Sequence, residues 1–267
     1  MAAPPPRPLT IVTGASHGIG RAIAARFLAA GRDVLLVARD ASALEVAAAA
    51  MRPGATAGAE AFTLALDITA PDVGSALEAA LADIGRPADL IVNNAGIGLG
   101  GPFVEQSAED LDRLITLNIT ALTRLTRHFA QSFRRRGAGS IVNVTSLGAY
   151  VPGPNQAAYY ASKAYALSLS EALASELSGS GVHVMAVAPG PVATRIHATM
   201  RAERAPYRLL LPAMSPEAVA NATYLGWRLG RRVVVPGLHY QALALALRVL
   251  PHRLTVPLIG LLLKPDS

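Results

Sequence analysis

Short apolar runs alternate with longer amphipathic stretches from residue 9 to about residue 235, and no linker interrupts the alternation. The apolar runs occupy 9–13, 33–38, 61–66, 89–93, 139–145, 182–188 and 232–235. Between them, helical patterns cover about 20–30, 42–51, 71–84, 108–136, 157–178 and 216–229. A strand buried on both faces reads as a continuous apolar run, and parallel neighbours need a crossover between them, usually a helix. Right-handed crossovers then place helices on both faces of the sheet. The pattern predicts an α/β fold: a doubly wound parallel sheet of about seven strands. A length of 267 residues suits one or two domains. The unbroken alternation argues for one, over 9–236, preceded by a disordered proline-rich leader at 1–8. An apolar extension of the same domain follows over 237–267.

Two local patterns carry chemistry. The run Leu9-Thr-Ile-Val-Thr13 is followed by Gly14-Ala-Ser-His-Gly18-Ile-Gly20 and then a helical stretch. Strand, glycine turn and helix form a phosphate cradle, because backbone N–H groups and a helix N-terminus face the anion. The glycines follow T-G-x-x-x-G-x-G rather than G-x-G-x-x-G, and many βα turns need glycine for positive φ alone. The second pattern is Tyr159 with Lys163, four residues apart on a predicted helix, which stacks both side chains on one face. A tyrosine hydroxyl has a pKa of about 10, and a neighbouring ammonium lowers it enough for proton transfer near neutral pH. Tyr160 and Tyr165 are the competing tyrosines. Tyr160 also faces Lys163, being three residues before it. Ser146 follows the apolar run at 139–145. A strand ending there presents its hydroxyl at the sheet's carboxyl edge, where ligands of open α/β sheets bind.

Taken together, the chain closely resembles the short-chain dehydrogenase/reductase family, in a type that prefers NADP. The matching motifs are Thr13-Gly14-Ala-Ser-His-Gly18-Ile-Gly20, Asn93-Asn94-Ala95-Gly96, Asn118, Ser146, Tyr159-x-x-x-Lys163 and Pro189-Gly190, in the family's order from residue 9 to about 195. The resemblance implies a Rossmann-like core and a nicotinamide-dependent oxidoreductase that interconverts a carbonyl and an alcohol. It implies Asn118, Ser146, Tyr159 and Lys163 as catalytic residues, with Lys163 holding the nicotinamide ribose and Asn118 fixing a water that connects Lys163 to solvent. It further implies a cofactor site built from Gly14, Ser16, His17, Gly18, Ile19, Gly20, Ile68, Ala95, Pro189, Gly190 and Val192. Asp67 would contact the adenine amino group. Asn94 and Gly96 would lie beside the adenosine ribose, and Thr194 would bond the nicotinamide carboxamide. The helices over 108–136 and 157–178 form a common subunit interface in that family, so a homodimer or homotetramer is expected.

The end of the second apolar run bears on cofactor choice. A carboxylate there bonds the ribose 2′-hydroxyl of NAD, whereas an arginine accommodates a 2′-phosphate. This chain reads Val37-Ala38-Arg39-Asp40, with Ala38 where an acid would stand and Arg39 directly after it. A guanidinium can fork two N–H groups onto phosphate oxygens. NADP(H) is therefore the expected cofactor. The competing reading leaves Arg39 as a solvated strand end and Asp40 as an N-terminal charge for the next helix.

Composition narrows the remaining classes. The chain has no cysteine, which excludes disulfides and thiolate metal sites. Its six histidines form no ligand-spaced pair, so no metal is expected. The formal charge is +6, but Lys163 and Lys264 are the two lysines, and no basic stripe is interleaved with aromatics. Nucleic-acid binding is not expected. The leader lacks a hydrophobic segment of the secretory kind, and a cytoplasmic protein is expected. The stretch at 191–212 reads as a lid over the sheet's carboxyl edge. The tail, broken by Pro251 and Pro257, has three readings: a cover for the pocket, a subunit contact, or a membrane-surface anchor with Arg248, Arg253 and Lys264 as interfacial cations. The expected substrate is a small, apolar carbonyl or alcohol. A lipid or ketoacyl reductase at a membrane face and a non-catalytic NADP-binding regulatory module are the alternative functions.

Overall fold

The alternation folds into one sheet. In the computed structural model, residues 7–194, 200 and 211–264 are described. The strands are β1 (Leu9–Thr13), β2 (Asp33–Ala38), β3 (Ala61–Ala65), β4 (Ala88–Asn93), β5 (Gly139–Val144), β6 (Val182–Val187) and β7 (Val233–Val234). All pairings are parallel, in the order β3-β2-β1-β4-β5-β6-β7. Strand order reverses between β1 and β4, which opens a crevice at their carboxyl ends.

Alternate strand residues serve opposite faces. Leu9, Ile11, Leu35, Val37, Ile91 and Ile141 face one side, where α3 (Val73–Ile84), α5 (Leu122–Arg136) and α6 (Ala157–Glu176) cover them. Val12, Val34, Leu36, Leu90, Val92 and Val142 face the other, under α1 (Gly18–Leu28), α2 (Ala41–Met51) and α7 (Pro216–Arg228). Because both faces are covered, the central strands carry no polar alternation.

The stretch expected as one helix over 108–136 is interrupted. It forms α4 (Ala108–Ile115), a π-helical turn at Thr116–Ala121, and then α5. A π turn adds a residue without breaking the apolar stripe, so periodicity does not reveal it. The arginine run Arg134-Arg135-Arg136 closes α5 before Gly137, which takes φ 67° as a left-handed cap. Of the expected leader, Arg7 donates to the Ala57 carbonyl at 3.1 Å and the Pro8 carbonyl accepts from Asp33 N–H at 3.2 Å.

The tail forms α8 (Leu238–Val249) and α9 (His252–Leu262). Pro251 separates them, but Pro257 lies within α9 rather than ending it. A proline there removes one helical hydrogen bond just beyond the first turn. The buried Tyr240 anchors the tail: its hydroxyl donates to the Pro212 carbonyl at 2.7 Å, and a Cβ added at Gly190 would sit 2.6 Å from its ring. Most of the stretch read as a lid, with His197 and Tyr207, lies outside the described residues. Its anchored ends meet where Val192 bridges Met214 and Ala193 N–H donates to the Met214 carbonyl at 3.0 Å.

Candidate active site

At the carboxyl edge of the sheet a cavity of about 1140 Å³ runs from the β1–α1 turn to the inner side of α8 and α9. One end is a cradle of backbone. Gly14 and Gly18 take φ 65° and 57°, which side-chain-bearing residues rarely adopt. A Cβ at Gly20 would lie 2.4 Å from the Gly14 carbonyl oxygen, so only glycine lets the helix start this close to the strand. His17 caps α1 without a side-chain hydrogen bond, and Ser16 Oγ lies 2.9 Å from its Nδ1. The first-turn N–H groups of α1 therefore point to the cavity mouth, where an anion is stabilised by them and by the helix dipole. Ser16, His17, Gly18 and Ile19 line this end, whereas Gly20 is packed behind it.

Thr13 and Asn94 lock the two strands that flank the crevice. Thr13 Oγ1 donates to the Val92 carbonyl and accepts from the N–H groups of Asn94 and Ala95 at 3.0 and 3.1 Å. The Asn94 amide donates back to the carbonyls of Thr13 and Gly14 at 2.9 and 3.2 Å. Asn94, Ala95 and Gly96 also line the cavity. Arg39 is exposed at the end of β2, on the cavity wall, and forms no ion pair among the described residues. Asp40 instead caps α2, its carboxylate accepting from Ala43 N–H at 3.0 Å. Asp67 and Ile68 form the adjoining wall. Asp67 accepts from the N–H and hydroxyl of Thr69 at 2.9 and 2.7 Å, and these bonds, more than the Arg39 charge, hold its carboxyl below the usual carboxylate range.

The other half of the cavity gathers Ser146, Tyr159, Lys163, Pro189, Gly190, Val192 and Thr194. Ser146 lies two residues beyond β5 and accepts from Gly148 N–H at 3.1 Å, which fixes its Oγ. Lys163 lies 5.8 Å from the centroid of the Tyr159 ring, and its Nζ donates to the Val144 carbonyl at 3.1 Å. Burial lowers the Lys163 pKa to about 8. Tyr160 also lines the cavity, but its ring fills the space beside Gly148 and Gly153, where an added Cβ would come within 2.9 and 2.4 Å. Tyr165 lies outside the cavity lining, its hydroxyl 2.8 Å from Thr123 Oγ1.

Asn118 stands behind this wall rather than on it. Its side chain accepts from Ile97 N–H at 2.9 Å and donates to the Ile97 carbonyl and Ser162 Oγ at 2.8 and 3.1 Å. It thus ties the π turn to Ile97, in the segment after β4, and to the helix carrying Lys163. A second buried set, unread in the sequence, joins Asn93 to Thr126 and Asn143, and Asn143 to Ser170. It fastens α5 and α6 to β4 and β5. Polar residues inside apolar runs were the only signal for it.

The third wall was also unforeseen in detail. Leu243 and Leu247 of α8 and Ile259 and Leu262 of α9 close the cavity opposite Leu147 and Val151. The tail therefore covers the pocket. Among the described residues no cluster of histidines or acids could hold a metal.

Comparison with known proteins agrees with this architecture. The family model for short chain dehydrogenases matches residues 8–205. A relative named "Probable oxidoreductase EphD", from Mycobacterium tuberculosis, is 37% identical over 193 residues, 72% of this chain but 32% of that protein. The chain thus spans about a third of that relative's length. A short-chain dehydrogenase from Sphingobium yanoikuyae, solved with NADPH, is 38% identical with a TM-score of 0.78 over 90% of this chain and 93% of its own. The bulky-bulky ketone specific alcohol dehydrogenase from Comamonas testosteroni is 32% identical, with a TM-score of 0.75 over 90% and 91%. The chain belongs to the short-chain dehydrogenase family, and neighbours solved with NADPH, NADH and NADP support binding of a nicotinamide cofactor.

Proposed function

We propose that this short-chain dehydrogenase is an NADP(H)-dependent oxidoreductase that interconverts a bulky, apolar ketone and its alcohol, with Tyr159 as the acid/base. The observation that carries the reading is the continuity of one cavity from the glycine cradle and Arg39 to Ser146, Tyr159 and Lys163. When bound, the nicotinamide supplies the hydride. The chain's residues do the rest. Ser146 donates a hydrogen bond to the substrate oxygen from a position fixed beforehand, which favours the charge that grows there during reduction. Tyr159 gives that oxygen its proton. Lys163 sets the acidity of Tyr159 and holds the ribose, and Asn118 keeps the Lys163 helix in register with Ile97, in the segment after β4. Leu147, Val151, Leu243, Leu247, Ile259 and Leu262 bound the substrate half, so a charged substrate would lose its hydration there without a partner. The ketone preference in the name of the Comamonas neighbour is of the same class.

A panel of ketones, aldehydes and alcohols followed by NADPH fluorescence tests the reading. Turnover should rise with apolar bulk on both sides of the carbonyl. Cofactor binding without oxidation of NADPH by any member of the panel would make the chain a binding module instead. Cofactor choice is tested separately at Arg39. A charge-assisted bidentate pair contributes about 1.5–3 kcal/mol, or roughly ten- to a hundred-fold in affinity. Arg39→Ala should weaken NADPH by that factor and leave NADH unchanged in fluorescence titration. Equal wild-type affinity for both cofactors would remove the 2′-phosphate role from Arg39.

A further inference from the structure

Helices α8 and α9 carry large apolar side chains on both sides. A helix at a protein surface ordinarily buries one apolar stripe and shows polar residues to water. Here the inner side is used by Tyr240, Leu247 and the cavity wall. The outer side should then be polar, yet beside Gln241, Arg248 and Arg253 it carries large apolar side chains. Leu245 and Val249 on α8 are 64% and 73% exposed, and Leu254, Leu258 and Leu261 on α9 are 61%, 57% and 68% exposed. The three α9 leucines recur at i, i+4 and i+7, which is one helical face. Seven of the fourteen exposed large hydrophobic residues among the described residues fall between Leu238 and Leu261. Scattered exposure of single residues needs no explanation, but a concentration on one helix pair marks an interaction surface.

The charge around this face selects its partner. From Gly237 to Lys264 the chain has no Asp or Glu. Arg248 pairs with Glu171 of α6 at 2.7 Å, but Arg253 and Lys264 form no ion pair among the described residues. A second copy meeting this face about a two-fold axis would bring like charges together, which disfavours that arrangement. An anionic lipid surface matches both the leucines and the cations. No helix among the described residues is long and apolar enough to cross a membrane, and the break at Pro251 leaves two short helices side by side in sequence. We infer that the outer face of α8 and α9 docks on an anionic lipid surface, with its leucines in the acyl boundary and Arg253 and Lys264 among the headgroups. The apolar half of the cavity then lies one helix thickness, about 10 Å, from the bilayer.

Sedimentation of the full chain with vesicles tests this. Phosphatidylcholine vesicles are compared with mixed phosphatidylcholine and phosphatidylglycerol vesicles, at low and high salt. Binding should favour the mixed vesicles and weaken with salt. Leu258→Gln with Leu261→Gln should lower vesicle affinity about a hundredfold, since each leucine withdraws from the acyl boundary. Arg253→Glu should lower it about tenfold or more on the mixed vesicles alone. None of these residues lines the cavity, so cofactor binding and an unchanged circular dichroism spectrum report that each variant is folded. Absence of wild-type binding to mixed vesicles overturns the inference. So does a wild-type oligomer, seen by light scattering, that the leucine variant dissociates without any vesicle binding, because a second copy then covers the face. Equal binding to both vesicle types, indifferent to Arg253→Glu, also overturns it.

Discussion

Tyr159→Phe is expected to abolish most turnover while cofactor affinity stays near that of the wild type. The phenyl ring keeps the packing at a position only 8% exposed and loses the proton donor alone. General acid catalysis contributes about 10²–10⁴-fold, so the loss should fall in that range. Ser146 cannot take over the role, because its hydroxyl is far less acidic and its oxygen already accepts from Gly148 N–H. Tyr160→Phe should be mild by comparison, since its ring fills the space beside Gly148 and Gly153 and packing survives the change. Rates of NADPH oxidation under saturating cofactor separate the two. Near wild-type turnover in Tyr159→Phe, with loss in Tyr160→Phe, would move the proton donor to Tyr160.

The sheet was legible because parallel strands between two helical layers have no exposed face. Every residue of β1 and the first five of β2 are buried, and the runs stand out without any alternation to decode. The candidate site could be proposed for a different reason: glycine turns and the Tyr-x-x-x-Lys spacing are local, and one strand or helix fixes their geometry. What escaped notice depends on distance in sequence. The Asn93–Asn143–Ser170 set joins three elements; Asn93 reads as part of a local motif, and Asn143 and Ser170 alone look like polar interruptions of apolar runs. The inner wall of α8 and α9 escaped because a helix apolar on both sides has no periodicity to say which side is inside. The π turn at Thr116–Ala121 hid because it adds a residue without breaking the apolar stripe, and Asn118 within it braces the helix carrying Lys163 from behind the cavity wall. Pro257 shows the limit of a residue rule, since proline just past the first turn costs one hydrogen bond rather than the helix.

Lys163→Met should cost about a thousandfold in kcat/KM and should change its pH dependence. The ammonium lies 5.8 Å from the centroid of the Tyr159 ring. At about 6 Å and an effective dielectric of about 20, opposite charges interact by roughly 3 kcal/mol, or about a hundredfold in rate if the developing phenolate loses it. Loss of hydrogen bonds to the ribose adds about tenfold in cofactor affinity. Burial lowers the Lys163 pKa from 10.5 to about 8. The charge is therefore present below about pH 8 and lost above it, so reduction by the wild type should decline as pH rises through about 8. The fall in kcat should lie at higher pH than the fall in kcat/KM, because an anionic cofactor favours the ammonium. Stability runs the other way. Between about 8 and 10.5 the folded chain holds fewer protons than the unfolded one, so wild-type stability should rise with pH across that window. Lys163→Met removes both slopes. At neutral pH it should be no less stable than the wild type, because it replaces a buried ammonium that has no carboxylate partner among the described residues with an apolar side chain. A merely structural lysine would produce the opposite pair of results: lower thermal stability and an unchanged pH profile. Normal cofactor affinity in Lys163→Met would leave the acidity of Tyr159 as its single role.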